Sequence, residues 1–311
     1  MSQPLTSKGL AQGAHDDSLA AAEKVVALVV CYNPEPASFV AFIDFIADQF
    51  SLIVIVDNSD DTVIKQRLAE SLPENDRVRT LFLDENTGIA AAQNAGSRVC
   101  LDEGCDFIVE LDQDSRLEPG YVERLLSGYR EVEIMDPIAA FGPVAIDRDT
   151  DEPYGAVPGG VKPVVVRTTL SSGLLVPVDA LRQIGEKDEA LFIDLVDWDW
   201  MFRAQDKGFV TMIDPRVKLR HRLGENHTRL LGLARFGTPQ PFRHYYAFRN
   251  YLLLCRRGYV PLGWKLKYFV INILKLLCYP LLMGTGISRL RYMLLGIRDG
   301  IAGRGGRLPG S

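Results

Sequence analysis

The chain has 311 residues, 47% apolar and 24% charged, a globular composition that excludes disordered, collagen-like and disulfide-stapled chains. Its five cysteines form no C-x-x-C pair, which argues against a structural zinc centre or a secreted disulfide framework and fits a reducing cytosol. The net charge of −5 conceals a split: residues 216–311 carry 18 Lys and Arg against two acids, net +16, and residues 1–215 are net −21. Two regions with different work are implied. The basic end either packs on its own acidic domain or meets an anionic lipid surface.

The first 24 residues are polar, lack the order of a signal peptide and read as a flexible tail. Residues 25–31 (VVALVVC) and 52–56 (LIVIV) are continuous apolar runs ending in turn residues, the pattern of buried parallel strands. Residues 36–50 between them have helical spacing, as do 62–71. Residues 78–83 and 106–111 are further strands, with a small-residue helix over 88–100 and another helix over 119–132. This alternation predicts an α/β, Rossmann-like doubly wound and mostly parallel sheet with its site at the carboxyl ends of the strands.

Beyond 138 the pattern changes to short strands (138–146, 163–167, 172–177, 217–220) and a helix near 195–207. The polar stretch 222–242 reads as a mobile lid, and 243–257 and 264–298 as helices. Within the latter, LKYFVINILKLLCYPLLM (266–283) contains Lys267, Lys275 and Pro280, too short and interrupted for a clean transmembrane span. It suits an interfacial helix with Lys265, Lys267, Lys275, Arg289 and Arg291 at headgroup level. This apolar character favours lipid over nucleic acid as the partner of the basic end.

Four strand ends bring polar groups to one rim: Tyr32-Asn33, Asp57-Asn58, Glu85-Asn86-Thr87-Gly88 and Asp112-Gln113-Asp114. Each alone is a turn signal; together they predict a ligand crevice. Asp112 and Asp114, two apart in an extended segment, point to one side and suit Mg²⁺ or Mn²⁺. No G-x-G-x-x-G, P-loop or G-x-S-x-G occurs, arguing against dinucleotide enzymes, P-loop NTPases and α/β-hydrolases. In FIDLVDWDWMFR, Asp194, Asp197 and Asp199 lie among Phe192, Trp198 and Trp200. They are either first-turn acids favoured by the helix dipole or a pocket with a general base. His221 is a candidate metal ligand.

These motifs resemble the inverting GT-A glycosyltransferases of family 2, and within it the bacterial rhamnosyltransferases. VVCYNPE (29–35), VDNSDD (56–61), ENTGIAAAQNAG (85–96), ELDQDS (110–115), SSGLLV (171–176), FIDLVDWDWMFRAQDKG (192–208), HRLG (221–224), FRHYYAFRN (242–250) and GIRDGIAGRGG (296–306) carry the resemblance over roughly 25–306. It implies a GT-A domain at 25–240 with a helical, basic, membrane-associating extension at 241–311. The donor it implies is a nucleotide sugar, dTDP-L-rhamnose foremost, and the acceptor a lipid-linked cell-surface glycan at the inner face of the cytoplasmic membrane. Tyr32, Asn33 and Asp57 would hold the base. Asn86, Gly88 and Asn94 would lie along the nucleotide, with Asp112 near the ribose. Asp114 would bind Mg²⁺ or Mn²⁺, with His221 as a further ligand. Asp197 matches the family's base; the acid usual before it is Val196 here, so Asp194 or Asp199 takes the supporting role and the base lies between Asp197 and Asp199. Trp198, Arg243, Tyr246 and Arg249 would support the acceptor or pack the helix. The alternatives are a family 2 enzyme with another sugar donor, or a non-catalytic membrane-surface protein of the same fold.

Overall fold

The computed structural model describes residues 23–73, 75–147, 151–153, 160–221, 226–230 and 234–310, with only the backbone at 221, 226–230 and 234–238. Most of the expected N-terminal tail, and 222–225 and 231–233 of the expected lid, lie outside these residues. The apolar runs become parallel strands β1 (Val25–Cys31), β2 (Leu52–Asp57), β3 (Val78–Phe82) and β4 (Phe107–Asp112). All of β1 and β2 is buried, as their continuous apolar sequence requires in a sheet covered on both faces. Crossovers run through α1 (Pro36–Ile46), α2 (Thr62–Ser71) and α3 (Ile89–Asp102). The turn residues double as helix caps. Glu35 accepts from the Ala37 and Ser38 N–H groups, and Asp61 from those of Val63 and Ile64, satisfying donors that the first turn leaves open.

After α4 (Tyr121–Arg130) the sheet is extended by β5 (Ile138–Asp147), β6 (Val164–Val166) and β7 (Leu175–Pro177), and after α5 (Val178–Ile184) and α6 (Val196–Asp206) by β8 (Val210–His221). The order is β3-β2-β1-β4-β7-β5-β8-β6, with β7 and β6 antiparallel to their neighbours. The strand order reverses between β1 and β4, which opens the crevice at their carboxyl ends.

Two expectations are corrected. The stretch 222–242 is not wholly loop: β9 (Asn226–Leu230) and β10 (Ala234–Thr238) pair antiparallel, so their backbone groups are satisfied by a ladder. The helix expected over 264–298 is two, α8 (Leu262–Leu282) and α9 (Gly286–Ile301), following α7 (Arg243–Cys255). Pro280 lies near the end of α8, Thr285 is left-handed at φ +58°, and a Cβ on Gly286 would come 2.0 Å from the Pro280 carbonyl oxygen. Proline followed by this close reversal ends the helix where continuous apolar character suggests continuation. The C-terminal helices share a core with the α/β domain, where Tyr251, Leu254 and Trp264 pack with Ala90, Leu191, Val196 and Phe202.

Candidate active site

The rim begins at Asp57, which is fully buried at the end of β2. Its Oδ1 accepts from the Ser59 hydroxyl at 2.5 Å and backbone at 3.2 Å, whereas its Oδ2 is buried without a partner among the described residues. An unmet carboxylate oxygen at a crevice is expensive. Beside it the Tyr32 ring is half exposed, its N–H donating to Gln113 Oε1 at 2.8 Å. Exposed Asn33 is left-handed at φ +45° and donates its N–H to Ser59 Oγ at 2.7 Å. Burial and the neighbouring Asp57 push the Cys31 thiol far above its ordinary value, so it stays protonated.

The third rim loop is held by side chains. Asn58 Oδ1 accepts from the Thr87 N–H at 2.9 Å, while Asn86 Oδ1 accepts from Asn58 Nδ2 at 3.1 Å and the Gly88 N–H at 3.0 Å. Gly88 has φ +88°, and a Cβ there would lie 2.6 Å from the Phe192 ring. Both Asn86 and Gly88 therefore build the turn that opens α3. Asn94, expected along the nucleotide, is buried on α3 with its amide engaged by Lys187 O, Glu189 Oε1 and the Lys187 N–H, each at 2.9 Å. Its observed work is to hold the 187–189 segment.

That segment leads to Asp197. Phe192, Asp194 and Leu195 are all left-handed, with φ of +61°, +67° and +64°, an uncommon state for non-glycine residues that needs outside support. The support comes from α7. Asn250 Nδ2 donates to the carbonyls of Leu191, Ile193 and Asp194 at 2.9, 2.8 and 2.7 Å, and Arg249 donates to those of Ala190, Leu191 and Gly306. Phe192 stacks on Tyr246 with centroids 5.1 Å apart, and Arg249 lies over the Tyr245 and Tyr246 rings. Arg249 is wholly buried, so its observed contacts hold the loop; Tyr246 faces the same core and accepts the Leu308 N–H at 3.0 Å.

Asp197 sits on the first turn of α6, one oxygen receiving the Ser171 N–H at 3.3 Å. It lines a small cavity with Ser171, Glu110, Lys187, Trp200 and Met201. Asp199 differs: fully buried, it binds Arg257, Arg203 at 3.2 Å and the Tyr259 hydroxyl at 2.6 Å. Its oxygens are committed to the fold. Asp194 pairs with Arg243. Asp194 foremost, together with Asp197 and Asp112, holds the Arg243 guanidinium above its ordinary value. Arg243 thus gathers the end of β4 and the start of α6 into one charge cluster. Trp198 packs edge-on against Trp264 and Tyr268, with centroids 6.0 and 5.3 Å apart. Lys275, expected among headgroups, instead lies half-buried on the inner face of α8, its ammonium pulled below the usual range by burial.

Sequence reasoning passed over several residues that the geometry brings in. Glu110, in the middle of buried β4, pairs with Lys187 at 2.5 Å, and Lys187 also donates to Gln93 at 2.9 Å. A charge inside an apolar strand was the available signal, since buried charges require partners. His221 ends β8, where only the backbone is described.

For a divalent ion, no group of three His, Cys, Asp or Glu among the described residues is arranged to hold one. Asp112 and Asp114 nonetheless supply hard oxygens at the crevice, and Mg²⁺ commonly takes one or two carboxylates with waters and substrate phosphates. The donor set fits an ion that arrives with a diphosphate.

Residues 26–144 match the family model Glycosyl transferase family 2. The chain is 33% identical over 295 residues to the dTDP-rhamnosyl transferase RfbF of Shigella flexneri, covering 90% of this chain and 96% of that protein. Its fold is similar to GalNAc-T7 with UDP, GalNAc and Mn²⁺, at TM-score 0.58 and 12% identity over 90% of this chain and 56% of that one. It is also similar to S. aureus TarS 1–349 in complex with UDP-GlcNAc, at TM-score 0.53 and 14% identity over 90% and 81% of the two chains. The mixed sheet with its crevice at the β1–β4 reversal is the GT-A arrangement, and with a relative alike over nearly its whole length the chain belongs to glycosyltransferase family 2.

Proposed function

We propose that this protein transfers L-rhamnose from dTDP-L-rhamnose, with inversion, to a hydroxyl of a lipid-linked glycan. The observation that carries the reading is the placement of Asp197. It stands on the first turn of α6, one oxygen held by the Ser171 N–H, whereas Asp199 is committed to Arg203 and Arg257. Likeness to the dTDP-rhamnosyl transferase supports the donor.

The unmet Asp57 Oδ2 suits the ring N–H of a pyrimidine base, and the Tyr32 ring a base face. Asp112 would lie toward the ribose, and Asp114 would hold Mg²⁺ or Mn²⁺, with His221 as a further ligand. A bound ion would supply charge neutralisation of the diphosphate. Asp197 accepts the proton of the acceptor hydroxyl as that oxygen attacks the anomeric carbon from the face opposite the diphosphate, and the bond from that carbon to the phosphate oxygen breaks to release dTDP. Arg243, beside Asp194, keeps a positive charge over the cluster.

The acceptor reading is supported by α8. Leu262, Leu266, Phe269, Val270, Ile273, Leu274, Leu277 and Leu281 are exposed at helical spacing, while Trp264, Tyr268 and Lys275 face inward. No helix among the described residues is long and apolar enough to cross a membrane, so this face is proposed to lie in the surface of an anionic bilayer, bordered by Lys267 and Arg291. The deciding experiment is calorimetric titration with dTDP-L-rhamnose, UDP-glucose and GDP-mannose, each with Mg²⁺ or EDTA. Metal-dependent binding of dTDP-L-rhamnose alone is expected. Preference for another donor would discard rhamnose, and binding of none would discard catalysis.

A further inference from the structure

The GIRDGIAGRGG stretch at 296–306 is given no chemistry by the reading above, yet the fold uses its glycines, its arginines and Asp299 to route the chain. A Cβ on Gly296 would come 2.3 Å from the Tyr245 carbonyl oxygen, and one on Gly305 2.6 Å from the Ala190 Cβ, so only glycine permits the approach. Buried Asp299 accepts from the Tyr245 hydroxyl at 3.0 Å, Arg298 at 2.8 Å and Arg304 at 3.3 Å. Gly303 and Gly306 turn the chain at φ +72° and +82°. The Gly306 N–H then donates to Ala190 O at 2.7 Å and the Leu308 N–H to the Tyr246 hydroxyl oxygen at 3.0 Å.

The segment so fixed delivers Arg307 to the rim. Its guanidinium donates to both oxygens of Asp60, at 3.1 and 2.9 Å, and lies 3.4 Å from the Asn86 carbonyl oxygen. Asp60 also accepts the Asn86 N–H at 2.9 Å and faces the Tyr32 hydroxyl at 3.5 Å. One ion pair therefore joins the loops after β1, β2 and β3 to the C-terminus. Both side chains are about one-third exposed, so the pair adds little to global stability. Its two-pronged geometry instead fixes orientation.

We propose that Arg307 is a positioning residue for the donor nucleotide: through Asp60 it holds the Tyr32 ring and the Asn86 turn in register around Asp57 on the rim. This rests on the reading of that rim as the donor site. The C-terminal segment is then a working part of the donor pocket rather than a trailing end.

The test titrates wild type with dTDP, UDP and GDP, then repeats the best nucleotide on Arg307→Gln, Arg307→Lys, Asp60→Asn and the Gln/Asn double variant. Arg307→Gln and Asp60→Asn are each expected to weaken binding about tenfold, with Tm lowered by no more than about 2 °C. Arg307→Lys should recover part of the loss. The double variant should bind no worse than the weaker single one, because the two residues act as one unit. With donor sugar, KM should rise by the same factor while kcat changes less than about threefold. Unchanged nucleotide affinity in Arg307→Gln, or additive losses in the double variant, overturns the proposal. A wild type that binds none of the three nucleotides overturns the donor reading beneath it.

Discussion

Asp197 and Asp199 lie two residues apart on one helix, and replacing each by Asn separates catalysis from folding. Asp199→Asn removes the anion between Arg203 and Arg257 and leaves both cations in place. Removing one partner of a buried ion pair costs about 3–5 kcal/mol. At about 2.1 cal/mol/K per residue, the unfolding entropy of this chain is roughly 0.65 kcal/mol/K, so Tm should fall by about 5–8 °C. Asp197 loses much less, because its one described hydrogen bond is the 3.3 Å contact from Ser171, which an amide oxygen retains. Its Tm should stay within about 2 °C of wild type, while kcat falls about 100- to 10,000-fold as the general base is removed. Donor affinity should change less than about threefold. Calorimetric unfolding, donor titration and initial-rate transfer on the two variants provide the comparison. An Asp199→Asn protein with wild-type Tm but no turnover would refute the assignment, as would an Asp197→Asn protein whose donor affinity and turnover fall together.

Three further outcomes follow from the same contacts. Asn250→Ala strips the donors from the Leu191, Ile193 and Asp194 carbonyls; unfolding titration should show a loss of about 1–3 kcal/mol, and kcat should drop at least about tenfold as the loop before Asp197 loses its hold. Burial first, then Arg289 and Lys275, push the His244 imidazole down to about 4. The native state therefore binds fewer protons than the unfolded chain between about pH 4 and 6.5, so stability rises with pH across that window, by about 3 kcal/mol from this group. Urea midpoints at pH 4.5 and 7 should differ less in His244→Gln than in wild type. Leu277→Glu with Leu281→Glu, at side chains 61% and 84% exposed, should leave Tm nearly unchanged but abolish flotation with phosphatidylglycerol vesicles. Undiminished flotation would remove α8 from the membrane.

The parallel half of the fold was legible because its strands are uninterrupted apolar runs and its turns carry residues with caps to fill. Asp61 is such a case, read as part of a polar cluster and found capping α2. The antiparallel insertions were legible only in outline. β7 has three residues, and its pairing is set by neighbours far away in sequence. For the candidate site, what the sequence made legible was position: Asp57 ends a strand and Asp197 opens a helix. What it did not show were the contacts that Asn94, Gly88 and Arg249 make with segments 93, 104 and 59 positions away. Such long-range partners leave no periodic trace in a sequence.

The charge split shows where the boundary between the two regions lies. Arg243 pairs with Asp194, Arg257 with Asp188 and Asp199, Arg216 with Asp214 and Glu131, and Arg307 with Asp60. Much of the basic end is thus spent on the acids of the α/β domain, so net charge alone is a poor argument for lipid. The membrane proposal rests instead on the apolar outer face of α8. The same ion pairs explain why the helical end is no appendage. The left-handed loop leading to Asp197 is held by the Ile89 N–H on the Phe192 carbonyl and by Asn250 and Arg249, which sit on α7. On the proposed reading, the α/β sheet positions the donor rim while the C-terminal helices hold the loop before Asp197, which makes the geometry of transfer a joint property of both regions.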